Sequence, residues 1–237
     1  MLVDIFSSFD DHNSVFLSFY IMMWGGTFLV LAGFNCIYWV DVSRWVFFMN
    51  LPKSVGFSQT VRSFGVKLGG FSGIVVSLFC VLLLFNLGGL IPYVFSGTSH
   101  LALTFSLGLP FWMSLIISGA VYSPLSAAAG LLPGGAPAAL NPFLVVVETV
   151  SICVRPITLS VRLAANMSAG HIVLGLIGGY LSAGIFTYPK LILLVLIMVQ
   201  IIYFMFEIGV ALIQAYIFSL LVILYSDDHA VYMINKK

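Results

Sequence analysis

Long apolar runs separated by short polar clusters dominate the chain, and their lengths predict helices that cross a membrane. Residues 15–40 are 26 consecutive positions without a charge, enough to cross a hydrocarbon core of about 30 Å with some tilt. Residues 41–67 are mixed, with Arg44, Lys53, Arg62 and Lys67 among Trp45, Phe47, Phe48, Phe57 and Phe64. That pattern suits an amphipathic segment lying along the membrane surface, or an ordinary basic loop. A second span is expected over 68–95, with Gly65, Gly69 and Gly73 at spacing four giving its start a flat face for close helix contact. A third is expected over 101–121, with Pro110 as a kink or boundary. Between Ser123 and Pro142 the chain carries Pro124, Pro133, Gly134, Gly135 and Pro137, which predicts a loop and not a span.

The last two apolar segments are unusually long. Residues 143–182 number 40 and residues 189–226 number 38, so each would reach roughly 55 to 60 Å as a helix, nearly twice the hydrocarbon core. They must either break, for which Gly175, Gly178 and Gly179 are candidates, or lie steeply tilted; tilt is favoured because these segments also carry buried charge. A short connection around Thr187, Tyr188 and Pro189 folds them antiparallel, and Pro189 suits a helix start. The fold class is therefore all-α and polytopic: about five membrane segments, one amphipathic surface segment, and two long tilted C-terminal helices forming an antiparallel hairpin. By organisation, 1–67 hold the N-terminal spanning helix and the basic surface segment, and 68–237 hold the core.

Composition sharpens this picture. Of 237 residues 61% are hydrophobic and 7% charged, and the mean hydropathy is +1.15, far from a water-soluble domain. The 80 residues from 68 to 147 contain no Asp, Glu, Lys or Arg. A net charge of +1, with no basic stripe, gives no footprint for nucleic acid. Cys36, Cys80 and Cys153 each sit in an apolar run without metal-ligand or redox spacing, and are read as packing residues. No cofactor and no metal is expected. The first fourteen residues hold Asp4, Asp10 and Asp11 but no Lys or Arg, unlike a secretory n-region or an Arg-rich transit segment. With the N-terminus outside, five crossings place Arg44, Lys53, Arg62, Lys67, Lys236 and Lys237 inside and Lys190 outside, as the positive-inside rule favours.

Charge within the long segments then asks for a function, because an Arg or Asp at the bilayer centre costs about 2.5 to 3.5 kcal/mol on insertion scales. Glu148, Arg155 and Arg162 are spaced seven apart, so each is displaced by only about 20° from the last along a helix. Asn166, four beyond Arg162, extends the stripe. On the facing segment, Gln214 matches Arg162 in distance from a turn near residue 188, Glu207 matches His171, and Asp228 matches Glu148. His171 and Glu207 fall toward the outer end, Arg162 and Gln214 near the middle, and Glu148 toward the inner end. This describes two half-paths that do not meet. His and a carboxylate can relay protons, whereas a guanidinium stays protonated and interrupts a wire. Within the hairpin no acidic residue matches Arg162, so its counter-ion is expected on another chain. Arg155 is read as an inner-face anchor whose head reaches toward phosphate, Asp227 and Asp228 as solvated, and His12, His100 and His229 as surface histidines.

These residues carry a resemblance. ETVSICVRPITLSVRLAANMSAGH at 148–171, FNLGGLIPY at 85–93, TSHLALTFSLGLPFW at 98–112 and EIGVALIQAYIFSLL at 207–221 resemble the a subunits of F-type rotary ATP synthases, in their mitochondrial form. The likeness covers most of 68–221, while the first 67 residues agree only in hydrophobic character and an N-terminal spanning helix. It implies that Arg162 faces a ring of c subunits, each with one membrane-embedded carboxylate. It also implies that His171 and Glu207 line the half-channel on the proton-source side, that Glu148 lies near the exit, that Gln214 is opposite the arginine, and that Asn166 is the polar residue one turn beyond it. His at 171 with Glu at 207 looks mitochondrial. Arg155 occupies a position that is often uncharged in such relatives.

The resemblance further implies a multi-pass protein of the mitochondrial inner membrane, made inside the organelle, with its N-terminus in the intermembrane space and its C-terminus in the matrix. Its partners would be the c ring, other membrane-sector and peripheral-stalk subunits, and lipid. Its role would be that of a proton-translocating stator subunit of a rotary ATP synthase, not an enzyme by itself; no GxxxxGKS/T phosphate loop is present. A secondary ion or solute transporter is the alternative. A purely structural subunit of a respiratory complex is a third possibility.

Overall fold

The computed structural model describes residues 44–91, 96–131, 140–185 and 187–227, together with Gly25. Apart from Gly25, the span expected over 15–40 lies outside the described residues. So do His12, His229, Cys36 and Asp228. Among the described residues the protein is all-α, with six helices: α1 (Arg44–Arg62), α2 (Phe71–Gly89), α3 (Leu101–Tyr122), α4 (Pro124–Gly130), α5 (Asn141–Gly184) and α6 (Lys190–Asp227). Short 3-10 turns at Phe64–Lys67 and Gly97–Ser99 precede α2 and α3. Four of the helices, α2, α3, α5 and α6, are long and apolar enough to cross a membrane.

Local chemistry accounts for the boundaries. The second span is shorter than expected: it begins at Phe71, because Gly70 turns the chain with φ +81, a left-handed conformation that only glycine adopts cheaply. Pro110 lies inside α3 without ending it. The segment after Ser123, expected as a loop, forms the seven-residue α4 before residues 132–139, which lie outside the described set. Pro124 is tolerated at the first turn and the alanines at 127–129 are strong helix formers, so the Pro, Gly and Ala composition encodes a helical turn first. Helix α5 runs 44 residues without interruption through Gly175, Gly178 and Gly179, so the glycines are not breaks. In water each would cost helix stability; in a bilayer the backbone has no other hydrogen-bond partner, which holds the helix together across them. Backbone bonds from Thr187 and Tyr188 to the Gly184 carbonyl close the turn before α6.

The described residues group into two compact units. In the first, whose described residues are Gly25 and those within 44–49, 81–100 and 163–216, Leu90, Met167 and Ala211 form a buried cluster with Leu87 and Ile208 against it. A Cβ on Gly89 would come within 3.3 Å of the Ser96 Cβ and 3.6 Å of the Met167 Cε. The absence of a side chain there lets the 96–99 turn and α5 approach α2 closely.

The described residues of the second unit lie within 50–80, 101–131, 140–162 and 217–227. Here Gly56 of α1 packs on Phe79 and Val76 of α2, and Gly108 of α3 packs on the Phe218 ring and the Pro156 carbonyl. Gly65 meets the Ser226 hydroxyl and the Phe71 ring so closely that a Cβ would overlap both. Of the three glycines expected to form one flat face, only Gly65 makes such a contact. Gly69 and Gly73 have open space around their Cα, because Gly65 lies in the 3-10 turn, where the helical spacing of four does not apply.

Candidate functional site

A row of polar groups in the first unit follows one face of α6. Glu207, Ala211 and Gln214 are spaced four and three apart, so they lie above one another along the helix. Glu207 is 2% exposed and Gln214 4%. The Glu207 carboxylate rests against the backbone of α5 at Gly170, where any Cβ would collide with it. This glycine immediately precedes His171 on α5. His171 is itself half-buried. Glu207 Oε1 is buried without a hydrogen-bond partner among the described residues, an arrangement that a water molecule or a transferable proton would satisfy.

One turn along, Asn86 of α2 donates from Nδ2 to the Ala211 carbonyl at 3.2 Å. Asn86 is fully buried, and its Oδ1 has no partner among the described residues. Sequence reading passed over Asn86. The signal was available in FNLGGLIPY, where it is the lone strongly polar residue of an apolar run. A further turn on, Asn166 Nδ2 donates to Gln214 Oε1 at 2.9 Å. The hydrogen-bonded partner of Gln214 is thus Asn166, one helical turn beyond the Arg162 to which the sequence arithmetic matched it. A row of amides below a buried carboxylate can hold water and pass hydrogen bonds, since each carries both donor and acceptor.

In the second unit the arginines of α5 differ in their surroundings. Arg155 Nη2 lies 3.6 Å from Glu148 Oε1, with both side chains about one-third exposed. Its guanidinium also sits over the Tyr225 ring, 5.4 Å from the centroid, within the range of a cation–π contact. Arg155, expected as an inner-face anchor, thus has a carboxylate and a ring beside it while its side chain stays about one-third exposed. Arg162 by contrast is exposed, on an outward face with Val154, Thr158, Val161, Ala165 and Ala169. Among the described residues it has no ion-pair partner.

Other expectations are sorted by burial. His100 is half-buried with Nε2 shielded from solvent, not a surface histidine, because the Gly97–Ser99 turn folds it inward. Cys80 is half-buried, whereas Cys153 is exposed on α5. Asp227 closes α6 half-buried. Among the described residues no cluster of three or more His, Cys, Asp or Glu could hold a metal ion.

Comparison with known proteins places this geometry in a family. The profile described as "ATP synthase A chain" matches residues 14–227. A protein of Locusta migratoria named "ATP synthase subunit a" is 40% identical over 237 residues, covering 96% of this chain and 99% of that protein. Proteins of the same name from Artemia franciscana and Drosophila melanogaster are 38% and 39% identical, each over 96% of this chain and 100% and 99% of their own lengths.

Proposed function

Because the chain belongs to the ATP synthase A chain family, and so is a proton-translocating stator subunit of the rotary ATP synthase, we propose that its two polar groups are the two halves of the proton path, with Arg162 between them. The subunit is not catalytic by itself; it is a multi-pass protein of the mitochondrial inner membrane and associates with the c ring and other synthase subunits. Neither a solute transporter nor a purely structural subunit is needed to account for its residues.

The observation that carries the proposal is the contrast between the arginines. Arg155 is matched by Glu148, while Arg162 stands outward in an apolar helix without an acidic partner among the described residues. An unpaired charge in lipid is unfavourable, so its counter-ion comes from another chain, and a ring carboxylate on each c subunit has that chemistry. The small neighbours Ala165 and Ala169 let a second helix approach close to the guanidinium.

On this reading a proton enters from the intermembrane space at His171 and Glu207 and descends the row through the Asn166–Gln214 pair. It neutralises a ring carboxylate, which can then turn into lipid. Arg162, permanently charged, favours ionisation of the next carboxylate to arrive, and the proton released leaves past Glu148 toward the matrix. Each charge crossing contributes about 2.3 kcal/mol per 100 mV.

The finer architecture belongs to the same proposal. A span over 15–40 completes five crossings, with the N-terminus in the intermembrane space and the C-terminus in the matrix. Residues 1–67 are a membrane-anchoring segment and 68–237 the channel core, in contact with membrane-sector and peripheral-stalk subunits. At about 1.5 Å per residue, α5 would measure about 66 Å and α6 about 57 Å, so the hairpin they form must be steeply tilted to stay near a core of about 30 Å. Tilt lays the charged stripe along the membrane, where it can face a ring.

Replacing Arg162 by Ala, in complexes shown to assemble, tests the reading through proton-driven ATP synthesis. Coupled synthesis is expected to be abolished. Retention of coupled synthesis by the assembled complex would overturn it.

A further inference from the structure

Arg155 is a charged group in a membrane-spanning helix to which the proton path gives no task. Its placement is specific. Two helical turns separate it from Glu148 on α5, and its guanidinium bridges that carboxylate, at 3.6 Å, and the aromatic face of Tyr225 on α6, at 5.4 Å. One flat cation thus ties a carboxylate of one helix to a ring of the next. All three groups lie in the same compact unit, near the ends of α5 and α6 remote from their connecting turn.

A guanidinium suits this geometry better than an ammonium, because its plane can lie on a ring while its edge nitrogens address an oxygen. At 3.6 Å the Arg155–Glu148 contact is longer than a hydrogen bond, and with both partners about one-third exposed it adds little to stability. What it does is limit where the Glu148 carboxylate can be. A free glutamate on a helix samples several rotamers; one drawn along the helix axis toward a cation fixed by a ring samples fewer.

We propose that Arg155 is a positioning residue for proton exit: clamped by the Tyr225 ring, it holds the Glu148 carboxylate where protons leave the path, so that the end of α6 sets the location of an acceptor carried on α5. The inference rests on the reading of Glu148 as the exit carboxylate.

The test is a double-mutant cycle in the assembled synthase, reading proton flux and proton-driven ATP synthesis at equal amounts of complex. The variants are Arg155→Leu, Glu148→Gln and the pair together. Arg155→Leu is expected to lower flux about threefold or more, the scale of a lost cation–π contact, and to add nothing further in the Glu148→Gln background. Tyr225→Phe, which keeps the ring, is expected to retain more flux than Tyr225→Leu. Arg155→Lys, which keeps the charge and loses the flat stack, should fall between wild type and Arg155→Leu, and it serves as the test if Arg155→Leu fails to assemble.

Additive effects of Arg155→Leu and Glu148→Gln would overturn the proposal, since Arg155 would then act independently of Glu148. Unchanged flux in Arg155→Leu or Arg155→Lys would overturn it as well. Unchanged flux in Glu148→Gln would instead remove the underlying exit reading, so the two failures are separable.

Discussion

Substituting Gly170 by alanine probes the entry side of the path at one methyl group. The Glu207 carboxylate fills the space that a Cβ at position 170 would take, and it is 98% excluded from solvent, being 2% exposed. Restoring an ordinary contact of about 3.5 Å requires the carboxylate or helix α6 to move by more than about 1 Å. Overpacking of this kind costs about 1 to 3 kcal/mol. Proton transfer needs heavy atoms within about 2.6 to 3.2 Å of one another, and a misplacement of about 1 Å can reduce a rate by about a hundredfold. Gly170→Ala is therefore expected to leave a complex that assembles in reduced amount, with proton-driven ATP synthesis per complex lowered by about ten- to a hundredfold. Adding Glu207→Asp, which shortens the acid by one methylene, should recover part of the rate. The assay is ATP synthesis in vesicles under an imposed proton gradient, normalised to assembled complex. Full synthesis by Gly170→Ala, or no recovery on adding Glu207→Asp, would refute the packing of this carboxylate against α5.

Two further outcomes follow from the same contacts. Asn166→Leu removes the donor to Gln214 Oε1 and strands a buried amide oxygen, which costs about 1 to 3 kcal/mol; proton flux should fall, and Gln214→Leu in the same chain should restore stability of the complex without restoring flux. Gly65→Ala places a methyl into the Ser226 hydroxyl and the Phe71 ring, so the assembled complex should lose about 1 to 3 kcal/mol of stability in thermal or detergent denaturation, with partial recovery from Ser226→Gly.

Much of this protein was legible before any coordinates. Apolar run length indicates how many residues can cross a bilayer, because lipid offers the backbone no hydrogen bonds and leaves the helix as the available single-segment solution; hence the agreement at α3, α5 and α6. Charge in an apolar helix is expensive wherever it falls, so Glu148, Arg155, Arg162 and Glu207 stand out as functional candidates from their residue type alone. The Glu207 carboxylate meets α5 at Gly170, a contact that residue type alone does not specify.

Partnership is another matter. Arg155 and Arg162 are two positively charged residues seven apart on one helix, and their spacing does not reveal what each one touches; in the structure a Tyr225 ring and a Glu148 carboxylate lie beside the first. Asn86 is invisible as a partner of Ala211 because 125 residues separate them. The three glycines at spacing four look equivalent, yet a side chain from the far end of α6 closes on Gly65 and leaves Gly69 and Gly73 open. Span length, helicity and the cost of a charge are properties of a segment and its solvent, and so are written locally. Which buried polar group meets which, and which glycine is indispensable, depends on side chains brought together from distant positions, and it emerges when the helices pack.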